Sequence, residues 1–281
     1  MVNEQICRCC DGRDFKTLYK SSNESVKKCL NCGVIFTEIM GEKPSFKDFY
    51  DQDYYEKWSK ESFQRKKMWQ GRFRQLQKRC HNGALLDIGC GLGDFIIIAK
   101  QKGWDVQGVE LSSYAAKYVT NKEKIKVLCG EIQPGSFAAG AFDVVTMWHA
   151  LEHVDSPGEI LRTIKPILKK DGMLVIEVPN AYYLVQLIKN YLNSRNIFSS
   201  FVVQGQAEPH FFHFSVNSLR KILQDAGFVV QRVYVGTYGG HQKGLLRKLK
   251  SSFYNAVTVF VYLVTGINIG VVTRIYARKC K

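Results

Sequence analysis

From residue 84 to residue 180, short apolar runs alternate with stretches whose apolar positions recur every three or four residues. Leu85, Leu86 and Ile88 read as a short buried strand, and Phe95, Ile96, Ile98 and Ala99 follow at helical spacing. "WDVQGVEL" gives a second strand ending at Glu110, "KIKVLCGEI" a third ending with Glu131 and Ile132, and "AFDVVTMW" a fourth. "HALEHVDSPGEILRTIKPILKK" then reads as a loop and a helix, and "DGMLVIEVPN" as a fifth strand opened by a turn. This alternation predicts an α/β core with a mainly parallel sheet, and ligands at the carboxyl ends of its strands. Further on, "SVNSLRKILQDAGF" is a helix that Gly227 ends, and "FVVQRVYVGTYGG" and "GVVTRIYARKC" alternate as strands.

The flanks have other patterns. Trp69, Phe73, Leu76 and Cys80 form one helical stripe, with Arg65, Lys66, Lys67, Arg72, Arg74 and Lys78 largely elsewhere. That reads as a docked helix with a basic outer face, preceded by Tyr50, Tyr54 and Tyr55 as cover for a ligand. Near the end, no charge falls between Ser251 and Thr273, while Lys248, Lys250 and Arg274 flank the stretch. Its length suits a membrane span, but Gly266, Asn268 and Gly270 interrupt it and a span would remove the last strand from the sheet. The reading is therefore a helix packed on the core or resting on a membrane surface, with Leu245, Leu246, Leu249 and Phe253 beside basic residues.

Charge narrows the partners. Forty Lys and Arg against 25 Asp and Glu leave the 281-residue chain at +15, which calls for an anionic partner: nucleic acid, a phosphorylated substrate or a membrane surface. The opening "MVNEQICRCC" lacks the basic-then-apolar order of a secretory signal, so a cytoplasmic location is expected, with peripheral membrane contact through the tail. In that compartment nine cysteines favour metal ligation over disulfides. Cys7 with Cys10 and Cys29 with Cys32 make two C-x-x-C pairs, and Gly33 supplies the knuckle turn. Four thiolates at this spacing suit a closed, structural, tetrahedral zinc site; Cys9 is a spare able to replace Cys10, and a redox role is the alternative.

The strand-to-helix turn "LLDIGCGLGDF" is where ligand chemistry concentrates. Gly89, Gly91 and Gly93 let a ligand approach bare backbone. A dinucleotide turn usually reads G-x-G-x-x-G and meets a pyrophosphate, whereas here Asp87 and Asp94 flank the glycines. An acidic turn fits a cation better, and S-adenosylmethionine carries an ammonium and a sulfonium and no phosphate. A tight turn without ligand remains the plain alternative. Glu110, about twenty residues downstream, stands where an acid reaches ribose hydroxyls.

The ordered set DIGCGLG, GVEL, GEI, FDVV, HALEHV and VEVPN resembles class I S-adenosylmethionine-dependent methyltransferases over roughly residues 80 to 240. It is most similar to the group with a W/H-x-L-E-H-V segment after the fourth strand, which includes ubiquinone-pathway O-methyltransferases and many sugar and natural-product enzymes. The double C-x-x-C resembles sugar methyltransferases of polysaccharide and deoxysugar pathways. The resemblance implies a Rossmann-like α/β fold with a seven-stranded, mainly parallel sheet whose last strand is antiparallel. It divides the chain into a zinc ribbon (1–40), an aromatic and basic linker helix and lid (41–80), and a methyltransferase domain (81–281) with a hydrophobic insertion near 245–267. It also implies Asp87, Gly89, Gly91 and Gly93 around the methionine portion, Glu110 on the ribose, and Glu131 with Ile132 at the adenine, where family members more often have aspartate at 131; Cys90 and Leu111 join the cofactor-binding set.

Methyl transfer to a hydroxyl or an acidic carbon needs a base, usually histidine near neutral pH. His149 and His153 flank Glu152 in "WHALEHV". "AEPHFFHFS" resembles the E-H-L-x-Y-F-S stretch of zinc-bearing sugar methyltransferases, whose histidine falls on His210, while its neighbouring acid is Pro209 here. His210 is the leading base, then His153; His149 and Glu152 are further candidates. The expected activity is methyl transfer to a sugar or related hydroxyl-bearing small molecule, nucleotide- or lipid-linked. Two rivals stand beside it: an RNA methyltransferase gripping through zinc module and basic face, and a non-catalytic cofactor-binding assembly protein.

Overall fold

The computed structural model describes residues 6–40, 50, 52–59, 62–192, 196, 198–203, 209–237 and 245–280. Three antiparallel strands come first, β1 (Phe15–Lys20), β2 (Glu24–Cys29) and β3 (Ile35–Ile39), followed by the helices α1 (Gln52–Ser59) and α2 (Ser62–Gln77). The core then alternates: β4 (Ala84–Ile88), α3 (Asp94–Gln101), β5 (Asp105–Glu110), α4 (Ser113–Glu123), β6 (Lys126–Cys129), β7 (Phe142–Trp148), α5 (Pro157–Ile167) and β8 (Leu168–Pro179). After α6 (Leu184–Leu192) come β9 (Phe212–His213), α7 (Val216–Asp225), β10 (Phe228–Gly236), α8 (Leu245–Thr265) and β11 (Val272–Lys279).

Seven strands form one sheet in the order β10-β11-β8-β7-β4-β5-β6. The pairs β4–β5, β4–β7, β5–β6 and β7–β8 are parallel, and only β11 runs against its neighbours β8 and β10. The fold is thus the expected Rossmann-like α/β architecture, its last strand antiparallel. Alternate residues explain its two layers, because successive strand side chains point to opposite faces. Leu86, Val145 and Leu174 pack with the cysteines, with Leu161 of α5 and with Leu219 of α7, whereas Leu85, Val144 and Val175 pack with Phe73 of α2 and Phe95 of α3.

Two boundaries differ from the sequence reading. The third strand stops at Cys129 because Gly130 turns out of it at φ 122°, so Glu131 and Ile132 stand in the loop beyond. The helix after the fourth strand stops at Ile167, and extended chain begins directly at Leu168 rather than after Lys170. Pro166 accompanies that stop; it leaves no N–H to continue the ladder.

The cysteine sheet is not freestanding. Its order is β1-β2-β3-β9, the fourth strand coming from far down the chain through the pairs Ile35 with His213 and Phe36 with Phe212. Thr37 adds a hydrogen bond from its amide to the Phe211 carbonyl, 2.9 Å, and the Val203 amide donates to Glu24 Oε2, 2.8 Å.

Candidate active site

A cavity of about 1150 Å³ opens at the carboxyl ends of β4, β5, β6 and β7, just above the ~300–1,000 Å³ usual for one small-molecule ligand. Gly89 and Gly91 line it with left-handed backbone, φ 74° and 53°. A Cβ on Gly89 would come to 2.8 Å from the Ala150 Cβ, so both backbone conformation and space demand glycine there. Asp87, Cys90, Glu110, Leu111, Glu131 and Ile132 also line the cavity. Gly93 does not line the cavity; it precedes α3 as its N-cap, where a Cβ would come to 3.1 Å from Val119.

The acids are placed by backbone. Asp87 is buried and accepts from the Thr146 hydroxyl at 2.6 Å; burial pushes its carboxyl up to about 7 although that hydrogen bond opposes the shift. Glu110 accepts from the Gly91 amide at 2.8 Å and the Ser112 amide at 2.9 Å, with the Tyr55 hydroxyl at 3.4 Å. Its pKa is raised by burial, partly offset by those amides. Buried acids held above their ordinary pKa gain most from a cationic ligand. The glycine cradle, the acid set and the apolar Ile132 therefore fit S-adenosylmethionine.

Above the cavity the tyrosines interlock. The rings of Tyr50 and Tyr54 meet edge to face at 5.1 Å, those of Tyr54 and Tyr55 at 5.1 Å, and the Tyr50 carbonyl accepts from Ser112 Oγ at 2.6 Å. Residues 41–49 of the expected lid lie outside the described residues.

The cavity wall also gathers three histidines, His149, His153 and His210. Donor atoms of Glu152, His153 and His210 lie within 4.8 Å of one another, and the rings of His153 and His210 meet at 4.8 Å. His153 Nδ1 donates to the Pro209 carbonyl at 2.9 Å, while the Phe211 and Phe212 amides donate to the Glu152 carbonyl at 3.1 and 3.2 Å. Those bonds lock the two histidine segments together. Glu152 Oε2 is buried without a partner among the described residues. Burial lowers the pKa of His210 to about 4, with Glu152 opposing.

His149 is held differently. Its backbone is left-handed at φ 55°, its Nδ1 is 3.3 Å from Glu152 Oε1, and its Nε2 is 3.0 Å from Glu177 Oε1. Burial works against its charge, but the two carboxylates outweigh it and raise its pKa. A ring with an acid at each nitrogen suits an imidazolium that fixes the loop rather than a proton acceptor.

Glu177 leads to residues that the sequence reading missed. It is fully buried in β8, ion-paired with Arg72 and Arg274, the latter through Nε at 2.6 Å. The sequence pattern assigns Arg72 to a basic outer face; in the structure it is 3% exposed, its guanidinium 4.4 Å from the Trp69 ring centre. The signal was present in the spacing, since 69, 72, 73 and 76 all fall on one helical face. Arg65, which also lines the cavity, pairs with Asp94 of the glycine turn.

On the cysteine sheet, Cys7 Sγ is 3.7 Å from Cys32 Sγ, and Cys10 Sγ is 3.7 Å from Cys29 Sγ. All four lie within 4.8 Å of one another, and Cys10 rather than Cys9 completes the set. A tetrahedron of ~2.3 Å zinc–sulfur bonds has edges of about 3.8 Å. The donor set therefore fits a zinc ribbon.

Comparison with known proteins extends the picture. The family described as "Methyltransferase domain" matches residues 61–233. YqeM of Bacillus subtilis is 24% identical over 186 residues, 54% of this chain and 75% of YqeM. The mitochondrial ubiquinone biosynthesis O-methyltransferase of Schizosaccharomyces pombe is 30% identical over 40% of this chain, which spans 44% of that enzyme's length. The structure of an S-adenosylmethionine-dependent methyltransferase from Thermotoga maritima superimposes with TM-score 0.54 at 21% identity, covering 83% of this chain and 98% of that one. One from Archaeoglobus fulgidus gives TM-score 0.52 at 20% identity, covering 76% and 94%.

Proposed function

The chain belongs to the methyltransferase-domain family and is an S-adenosylmethionine-dependent methyltransferase, and we propose that its acceptor is a hydroxyl of a sugar or related small molecule, with His210 as the base. The observation that carries this reading is the meeting of His210 and His153, which line the cavity, with the buried Glu152 within reach of both. When bound, S-adenosylmethionine supplies an electrophilic methyl on a sulfonium. Asp87, Gly89, Cys90, Gly91, Glu110, Leu111, Glu131 and Ile132 would hold it.

The chain's own part is to orient the acceptor and take its proton. His210 is neutral at pH 7, so its ring is free to accept. As the imidazolium forms, the Glu152 carboxylate beside it stabilises the charge. Glu152 stays ionised for this, because its bond to His149 and the neighbouring imidazoles outweigh the penalty of burial. It occupies the role that an acid at position 209 would have in zinc-bearing sugar methyltransferases. Tyr50 and Tyr54 also line the cavity, the Tyr50 ring 6.4 Å from that of His153. At Cys7, Cys10, Cys29 and Cys32 the ligand of this reading is a structural zinc.

Incubation with methyl-labelled donor and host extract, divided into nucleotide-sugar, lipid and RNA fractions, tests the reading. Label is expected in a sugar-containing fraction, absent with Asp87→Ala and reduced at least about a hundredfold with His210→Asn. Label in RNA alone overturns the acceptor, and the +15 charge makes that the rival to exclude.

A further inference from the structure

Helix α8 is divided lengthwise. On its inner side Thr258 is buried, the Tyr254 hydroxyl donates to the Ile269 carbonyl at 2.7 Å, and Asn255 Oδ1 accepts from the Thr237 amide at 2.9 Å. On the other side Leu249, Phe253, Phe260, Leu263 and Val264 are exposed, Phe260 by 68% and Leu263 by 75%. Steps of three, four and seven residues put these on one stripe. A run of large apolar side chains in water marks a surface that another phase or molecule covers.

Charge says which. From Ala226 to the C-terminus the sequence contains no Asp or Glu, while, besides the buried Arg274 that Glu177 neutralises, it carries Arg232, Lys243, Arg247, Lys248, Lys250, Arg278, Lys279 and Lys281. Within α8 the bases Arg247, Lys248 and Lys250 stand in the first two turns, and the exposed apolar positions continue from there to the other end. An apolar stripe with basic residues and no acid is the composition of a helix that lies in a layer of anionic headgroups. A second protein surface would not require acids to be excluded from so long a stretch.

Position agrees. Asn180, directly after the carboxyl end of β8, donates through Nδ2 to the carbonyls of Asn268 and Gly270, both at 2.8 Å, just beyond α8. Its neighbour Pro179 lines the cavity and pairs with Val272. The C-terminal end of α8 is therefore tied to the edge of the sheet where the ligand cavity opens. No helix among the described residues is long and apolar enough to cross a membrane.

We propose that the exposed face of α8 seats on the surface of an anionic lipid bilayer without crossing it, at the cavity edge of the sheet. This goes beyond the methyl-transfer reading and does not depend on it. The test is co-sedimentation of the full chain with vesicles of phosphatidylcholine alone and with added phosphatidylglycerol, at low and high salt. Binding is expected on the anionic vesicles, weakly on neutral ones, and less at high salt. Phe260→Ser combined with Leu263→Ser lowers the bound fraction about tenfold or more at equal lipid, while circular dichroism and S-adenosylhomocysteine binding stay as in the parent. Protein that remains in the supernatant with both vesicle types overturns the proposal. So does equal binding to neutral vesicles, which removes the basic residues from the account. A concentration-dependent dimer in light scattering, dissolved by the same pair of substitutions and accompanied by no vesicle binding, assigns the face to a second copy instead.

Discussion

At the scale of single residues, the site stores electrostatic cost where ligand will relieve it. Asp87 is buried with its pKa raised to about 7, so the folded state binds a proton more readily than the unfolded chain between the ordinary 3.8 and 7. The stability linked to this group is full below 3.8 and is lost as pH rises through about 7. Asp87→Asn keeps an acceptor for the Thr146 hydroxyl and removes the charge, so at pH 8 its melting temperature is expected to rise while calorimetric affinity for S-adenosylmethionine falls. His210 and His213 carry the opposite sign. Burial lowers them to about 4 and about 3 from 6.5, so they contribute stability present above 6.5 and lost as pH falls through that window. His213 Nε2 is buried without a hydrogen-bond partner among the described residues, and its ring stacks on Phe201 at 4.1 Å. Between pH 6.5 and 4 these losses run against the gain at Asp87, so the His213 contribution is read by difference: His213→Gln is expected to lose less stability than the parent over that window. Identical pH dependence of the two melting temperatures would contradict the burial of the His213 ring.

At the scale of elements, Arg72, Glu177 and Arg274 tie α2, β8 and β11 through one buried carboxylate. Glu177→Gln leaves two guanidiniums without a counter-charge away from water. Breaking a buried ion pair in this way costs ~3–5 kcal/mol, to be read as a shift of the urea midpoint. The same substitution frees His149 Nε2 from its acid and is expected to lower the His149 pKa, measurable by NMR titration. These elements also show what the sequence made legible. Strands β4, β5 and β7 and helix α3 were readable because burial on both faces, or a helical apolar stripe, writes itself as a period. Arg72 was not, because a charged residue at a core position looks like surface until its partner is known, and Glu177 lies 105 residues away. The end of β6 was misplaced for a related reason: Glu131 and Ile132 continue the apolar and acidic pattern, but Gly130 has already left the strand.

At the scale of the molecule, the cysteine pairs are legible as a candidate zinc site and their link to the His210 segment is not, since a two-residue strand gives no period to read. β9 ends at His213, three residues past His210, and it completes the cysteine sheet. The Arg8 carbonyl accepts from the Gly158 amide at 3.0 Å, and a Cβ on Gly158 would meet the Cys9 carbonyl at 2.8 Å, so the knuckle also abuts the start of α5. The glycine turn is built by β4, β5 and α3, which pack with α2 on one face, while Leu86, Ile88 and Val109 share the core of the cysteines on the other; among the described residues no strand pairing joins the turn to the cysteine sheet as β9 joins the His210 segment. Loss of the metal should thus reach His210 through β3 and β9 before it reaches the cofactor turn. With zinc as the proposed ligand and His210 as the proposed base, treatment with a strong chelator, or Cys29→Ser with Cys32→Ser, is expected to lower kcat about a hundredfold or more, the contribution of a general base. Calorimetric affinity for S-adenosylhomocysteine should change less than about threefold, and zinc added back after chelation should restore kcat. Equal loss of turnover and cofactor binding would mean that the ribbon supports the entire fold rather than the histidine wall. Turnover untouched by metal removal would separate the ribbon from catalysis altogether.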